Sequence, residues 1–350
     1  MEGKGCVPML IKVDRLEYLL AQLFHCHGLS EEDSVIASKC LITAEMAGIT
    51  THGIEMVPAH IQKCDYGYNT KAKLKITKTT EAFTLCDADN AVGMVSAWKC
   101  IQLAVEKAEQ SGMHAVFCHN ANTFSAAYCY AKYAVEHGKI AIVMCNSPAQ
   151  MAPLGGCEKM LGTNPLAIGV PADRGKPFIL DMATSAVAKS KINQALHNGQ
   201  EKIPFGWATD QYGKPTDNPK EAVAGLILPM AGAKGYGLAM AIDILSGILT
   251  KAAYLDGVGR FYSPDNRCMN VGHTFIVLDP KQIYGSDFYA DMDAYLDRVR
   301  TSKGVDGQQV LVPGDLNVNR CEKCILEGIE VKQNVVEKLN PLLQEIGKSI

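Results

Sequence analysis

Residues Gly162 to Ser185 read GTNPLAIGVPADRGKPFILDMATS, and the rest of the chain is organised around them. Two short apolar runs, Leu166–Val170 and Phe178–Leu180, flank a polar loop, Asp173-Arg174-Gly175-Lys176. Short apolar runs bounded by turn residues are the pattern of two buried strands joined by an exposed turn. The second run delivers Asp181, then Thr184 and Ser185, directly off a core strand. A carboxylate and two hydroxyls are costly to desolvate there unless partners or a ligand satisfy them. A second reading stays open, in which Asp181 is the N-cap of a helix that starts here.

Working outward, the preceding run KIAIVMCNSPAQMAP is a buried strand ending in Asn146, Ser147 and Pro148. Before it, HAVFCHN reads as a strand and NTFSAAYCYAKYAVEHG as a helix stopped by Gly138, a strand–helix–strand crossover. An amphipathic helix spans Val92 to Gly112, and residues 70–90 alternate as two strands joined by a polar turn. Residues 10–47 carry helical periodicity: one helix stops at Gly28, and Ser30 with Glu32 and Asp33 opens the next. Then comes ITTHGIEMVPAHIQKC, where Thr51, His52 and Gly53 lie between helical segments and Pro58 fits the first turn of the second. His52 and His60, eight apart, would share a face of one continuous helix, which Pro58 interrupts.

Downstream, Ile192–Gly199 is helical, and LPMAGAKGYGLAMAIDILSGIL sets Gly232, Gly235 and Gly237 around Lys234 before a long apolar helix. Such glycines let backbone N–H groups approach an anion at a helix N-terminus, with lysine as a point charge. A tight packing turn is the other reading of the same glycines. VGHTFIVLDP is a strand carrying His273, Phe288–Val299 a helix, VLVPGDLNVNRC a strand with a turn at Pro313-Gly314, and Val331–Ile346 a closing helix. Neither G-x-G-x-x-G nor a P-loop occurs.

The 350 residues suffice for a large core in two or three subdomains. A net charge of −3 offers no basic surface for nucleic acid. No apolar run is long enough to span a bilayer, and the N-terminus lacks the apolar core of a secretory signal, so the expected location is cytoplasmic. The 13 cysteines are odd in number and scattered, which fits core thiols in a reducing compartment rather than a disulfide scaffold. The lone Cys321-x-x-Cys324 has no second ligand pair, and no metal site is expected.

At GTNPLAIGVP, FILDMATS, IPFGWATD-x-x-G-x-PT and LP-x-x-G-x-KGYGLAM the chain resembles the malate/L-lactate dehydrogenase family, over nearly its whole length. The resemblance implies an α/β architecture with a family-specific, non-Rossmann NAD(P)-binding fold, a mixed sheet and a helical N-terminal part. It divides the chain into a helical part at 1–75, a cofactor-binding α/β domain at 76–315 and a closing segment at 316–350. It implies NADH or NADPH as cofactor, a small-molecule substrate and a homodimer with the site near the two-fold interface. By that resemblance Ser147, Asp181, Met182, Ala183, Lys234, Gly235 and Gly314 contact the cofactor.

The substrate half departs from the family. Its S-H-G-x-x-R motif reads Thr51-His52-Gly53-Ile54-Glu55-Met56, so the arginine that grips a substrate carboxylate is Met56, and a tyrosine four residues on is His60. The general acid, a histidine in S-x-H-[FY/S]-G, has become Thr123 in Ala121-Asn122-Thr123-Phe124-Ser125. A threonine hydroxyl donates a hydrogen bond but does not ionise as an acid–base group. The catalytic candidates are therefore His52, Thr123 and Asp181, with Thr51, Met56 and His60 toward the substrate. Losing the bidentate arginine favours a substrate other than a simple 2-oxo acid, with imine reduction the preferred expectation. The alternatives are hydroxy-acid dehydrogenation with His52 as acid/base, and a cofactor-binding protein without turnover.

Overall fold

The computed structural model describes residues 9–263 and 267–350; the first eight residues, part of the reading of the N-terminus, lie outside it. Strand β1 (Met9–Ile11) and helices α1 (Val13–Cys26), α2 (Glu31–Met46) and α3 (Val57–Tyr66) open the chain. Then come β2 (Lys75–Thr79), β3 (Phe83–Asp87), α4 (Gly93–Ser111), β4 (Met113–Ala121), α5 (Ala127–Glu136), β5 (Ile140–Cys145), β6 (Leu166–Val170) and β7 (Phe178–Met182). Helix α6 (Lys189–His197) leads to β8 (Ala208–Thr209), β9 (Pro215–Thr216), α7 (Pro219–Ala224), β10 (Leu226–Ile227) and α8 (Ala233–Asp243). Last are β11 (Val271–Leu278), α9 (Pro280–Ile283), α10 (Asp287–Arg300), α11 (Asp315–Glu327), β12 (Ile329–Val331) and α12 (Gln333–Glu345).

The punctuation residues act as their chemistry dictates. Ser30 accepts a hydrogen bond from the Asp33 N–H at 3.1 Å and caps α2, whose first turn carries three acids. Gly112, at φ +80°, ends α4 in the left-handed conformation that glycine adopts at no steric cost.

A seven-stranded sheet runs β2-β3-β4-β11-β5-β6-β7. Only β3 and β4 pair in parallel; the remaining pairs are antiparallel, so the sheet is mixed. The β4–α5–β5 crossover expected from the sequence is present with one difference: β11, arriving far later, lies between its two strands. That slot suits an apolar segment. Phe275 and Val277 of β11 are fully buried, each contributing roughly 1.5–3 kcal/mol.

One other sequence expectation is corrected. In VLVPGDLNVNRC the turn at Pro313-Gly314 is present, but no strand precedes it and helix α11 follows it: Asp315 accepts from the Val312 N–H at 2.9 Å and pairs with Arg300 at 2.8 Å. A buried, paired acid in a first turn outweighs the apolar run before it. The first and last segments of the chain meet: β1 pairs with β12, and α12 packs on α1 and α3. A smaller core of its own, including Met151, Val187, Ile192, Ala208 and Ala239, underlies residues between β5 and α8. No helix among the described residues is long and apolar enough to cross a membrane.

Candidate active site

The register gathers the polar motifs at one end of the sheet. Ala121 at the end of β4 pairs with Val271 at the start of β11, whose His273 pairs with Cys145 at the end of β5. Met144 pairs with Leu166 at the start of β6, and Leu166 with Met182 at the end of β7. Asn122–Thr123, Asn146–Ser147, Thr163–Asn164 and Asp181–Ala183 therefore project from the same edge, although 60 positions separate the first from the last.

The turn bearing His52 is clamped onto this edge. Residues Thr50–His52 and Ile54–Met56 form two 3₁₀ turns joined at Gly53. Glu45 reaches from α2 to accept the Ile54 N–H at 3.0 Å, and a Cβ at Gly53 would lie 2.2 Å from its Oε2, so a larger residue would push the carboxylate off this hydrogen bond. Burial pushes the Glu45 carboxyl up to about 7. On the other side Ser125 donates to the His52 carbonyl at 2.6 Å. Ser125 adopts φ +69°, costly for a residue with a Cβ, and this hydrogen bond helps hold it there.

His52 is exposed to solvent while protein crowds close around it, and the crowding holds its pKa below the usual value. Its Nδ1 hydrogen-bonds with the exposed Thr51 hydroxyl at 3.0 Å, leaving Nε2 for a ligand. Thr123, half-buried, begins the loop that Ser125 ties to this turn.

Asp181 settles the choice its sequence left open. It is a strand residue, opposite Ala167 of β6, and it caps a helix elsewhere: Oδ2 accepts the Tyr128 N–H at 3.0 Å. That N–H belongs to the first turn of α5, whose own N-cap residue, Ala126, has no side chain to take up such a donor. Burial still dominates and raises the Asp181 carboxyl to about 6. Asp181 and Thr123 thus flank the start of one helix.

The remaining residues divide by exposure. Asn164 knits the region together: its Oδ1 accepts the Ser147 N–H at 3.0 Å and its Nδ2 donates to the Ala239 carbonyl of α8 at 2.9 Å. Lys234, exposed at the start of α8, makes no ion pair among the described residues, and Gly232 and Gly237 face open space. A free cation beside uncovered helix-start backbone fits the phosphates of a dinucleotide. Gly235 does otherwise: it is buried, donates its N–H to Met230 at 3.0 Å, and a Cβ would meet that carbonyl at 2.1 Å, the tight packing turn. Met182 and Ala183 are half-buried at the end of β7. Gly314, at φ +103°, packs against Ile179 of the same strand, so the C-terminal loop adjoins the DMATS motif.

His60 does not join this surface. It is fully buried, hydrogen-bonds with the Tyr68 hydroxyl at 3.0 Å and packs on Phe261 at 5.0 Å, and burial lowers its pKa to about 3. Met56, half-buried, instead meets the Tyr262 hydroxyl, 3.3 Å from its Sδ. Glu45, Ser125, Asn164 and Tyr262 carried no signal in the sequence, because each acts through a partner at least nine positions away.

This strand end and the elements packed on it offer a histidine, a carboxylate, a lysine with no ion pair among the described residues and an open, glycine-rich helix start. The chain belongs to the malate/L-lactate dehydrogenase family, whose model matches residues 11–340. The L-sulfolactate dehydrogenase of Methanocaldococcus jannaschii is 36% identical over 98% of both chains, and its solved structure superposes with a TM-score of 0.91 over 97% of this chain and 98% of that one. The ureidoglycolate dehydrogenase (NAD(+)) of Escherichia coli is 30% identical over 95% of each chain. The Δ1-piperideine-2-carboxylate reductase of Pseudomonas syringae matches with a TM-score of 0.85 at 26% identity, over 95% of this chain and 99% of that one.

Proposed function

We propose that this oxidoreductase transfers hydride between a nicotinamide dinucleotide and a small hydroxy or oxo compound, with His52 as its acid/base. The observation that carries this reading is the state of His52: solvent reaches its ring, Thr51 holds Nδ1, and its lowered pKa leaves it neutral at pH 7. A neutral Nε2 takes the proton of a substrate hydroxyl, and the same atom returns it in the reverse direction. Lys234, Ser147, the DMATS strand end and the loop at Gly314 would hold the dinucleotide, which when bound supplies or accepts the hydride. The named relatives favour hydroxy-acid chemistry over the imine preference expected from the sequence.

Imine reduction remains as a second reading because Thr123 brings no titratable side chain, and an iminium carbon needs no proton at nitrogen to accept hydride. A homodimer is supported by α8 and the π-helical turn that continues it (Ile244–Ile248), which together expose Met240, Ile244, Ile248 and the following Leu249. The stripe lies on the same helix as Lys234, so a second copy docked on it would lie near the dinucleotide site. The free thiols of the described cysteines fit a cytoplasmic location.

The test supplies NADH and NADPH separately against 2-oxo acids, 2-oxo amides and cyclic imines, following absorbance at the reduced nicotinamide. Turnover of a carbonyl substrate is the expected result; turnover of imines alone selects the second reading. Tight dinucleotide binding with no turnover would leave a binding protein. Lys234→Ala is expected to weaken dinucleotide binding by about 10- to 100-fold, and an unchanged dissociation constant would move the phosphate site elsewhere.

A further inference from the structure

Met56 lies four residues beyond His52 in the same pair of 3₁₀ turns, and what covers it comes from a distant part of the chain. Segment 261–263 is fastened over this turn and α3 at three points. Phe261, 8% exposed, packs its ring against His60 at 5.0 Å. The Lys63 ammonium donates to the Ser263 carbonyl at 3.5 Å. Between these anchors the Tyr262 hydroxyl meets the Met56 sulfur at 3.3 Å. A thioether is a weak acceptor, so the phenol spends its only strong donor on a poor partner while its ring stays 74% exposed. Glu55, one residue from Met56, pairs with Lys332 at 3.3 Å and brings no net positive charge to the turn.

We propose that Tyr262 and Met56 form the specificity wall of the substrate cleft, the phenol donating one hydrogen bond to a neutral acceptor beside the reacting carbon. The assignment rests on His52 marking the reacting end of that cleft. A carboxylate docked here would exchange its hydration for a single neutral donor and a thioether. An amide, ester or ketone oxygen has far less hydration to lose and gains the same hydrogen bond. The phenol also stays protonated: protein crowding around its hydroxyl, with Glu55 nearby, raises its pKa above the usual value. The wall therefore selects uncharged substituents where a guanidinium would select anions, a preference set by Tyr262 as much as by the loss of the arginine.

The experiment measures binding, so it stands apart from turnover. Wild-type protein, with NAD(H) at saturation and without it, is titrated calorimetrically with pyruvate and with its isosteric amide, pyruvamide. The amide is expected to bind at least tenfold more tightly. Tyr262→Phe, on an exposed ring that folding does not depend on, is expected to lose about fivefold or more for the amide and to leave pyruvate unchanged. Met56→Arg is expected to invert the preference. Equal binding of the two probes, no binding of either, or a Tyr262→Phe variant indistinguishable from wild type would overturn the assignment. Discrimination that persists in a protein without hydride transfer would remove the oxidoreductase mechanism and leave the wall standing.

Discussion

Ser125 and His52 show how much of the site is decided by single atoms. The family pattern has glycine where Ser125 stands, and the φ of +69° explains why glycine suits the place. The serine instead ties the loop of Thr123 to the His52 carbonyl. His52→Ala is expected to lower kcat/KM by about 10²–10⁴, and Thr123→Ala by less than about tenfold, since it removes only a neutral donor. Oxidation needs the neutral imidazole, so its pH profile falls on the acid side, with the midpoint below His52's ordinary value near 6.5. Reduction needs the imidazolium and improves as pH drops through that midpoint. Persistence of this limb in His52→Ala would assign the proton to another group.

Burial raises the Asp181 carboxyl to about 6 from an ordinary 3.8. The folded chain then binds this proton more tightly than the unfolded one, so the stability it contributes is present below the lower value and lost as pH rises through the higher. Asp181→Asn, which still accepts the Tyr128 N–H, is expected to raise the melting temperature at pH 8 by about 1–3 °C, the gain shrinking toward pH 4, while activity falls. A melting temperature that drops at pH 8 would mean the charge stabilises the fold. The sequence showed His52 and His60 as equals eight residues apart; which one faces solvent depends on the turns that Gly53 and Pro58 introduce, and on Phe261, 201 positions beyond His60.

At the scale of elements, legibility followed distance along the chain. Helix α1 ends beside Gly28, α2 starts at Ser30 and α4 ends at Gly112, as the sequence says they should, because caps act within one turn. Helix α11 was hidden, since the ion pair and hydrogen bond that favour it, from Asp315 to Arg300 and Val312, are side-chain contacts beyond apolar periodicity. The cofactor half was legible through its motifs, the substrate half only as departures from them. Helix α8 carries the element-scale prediction. Replacing both Ile244 and Ile248 of the π-helical turn that follows it, 47% and 55% exposed, by aspartate is expected to convert the proposed dimer to monomer in sedimentation velocity and to weaken dinucleotide binding in parallel. A wild-type protein that sediments as a monomer with dinucleotide bound would refute the shared interface.

Across the whole molecule, the mixed sheet collects residues from five separate stretches at one edge, and its composition and strand content were evident from sequence while its strand order was not. Apolar runs announce that a strand is buried; they do not say between which neighbours. The position of β11 therefore required the structure.

That position has a consequence for the birth of the protein. During synthesis β4 and β5 leave the ribosome about 125 residues before β11, a delay of roughly 6–25 s at ordinary elongation rates. For that interval both present an unpaired, apolar backbone edge, the template on which nascent chains aggregate. Chains ending at residue 263 are expected to pellet as insoluble material, whereas chains extended through β11 to residue 285 gain solubility in a fractionation assay. A soluble, protease-resistant fragment 1–263 would mean that β4 and β5 close on each other unaided. Slow decoding between them and β11 would then be harmless; with the edges open, it is a hazard that only a holding chaperone can cover.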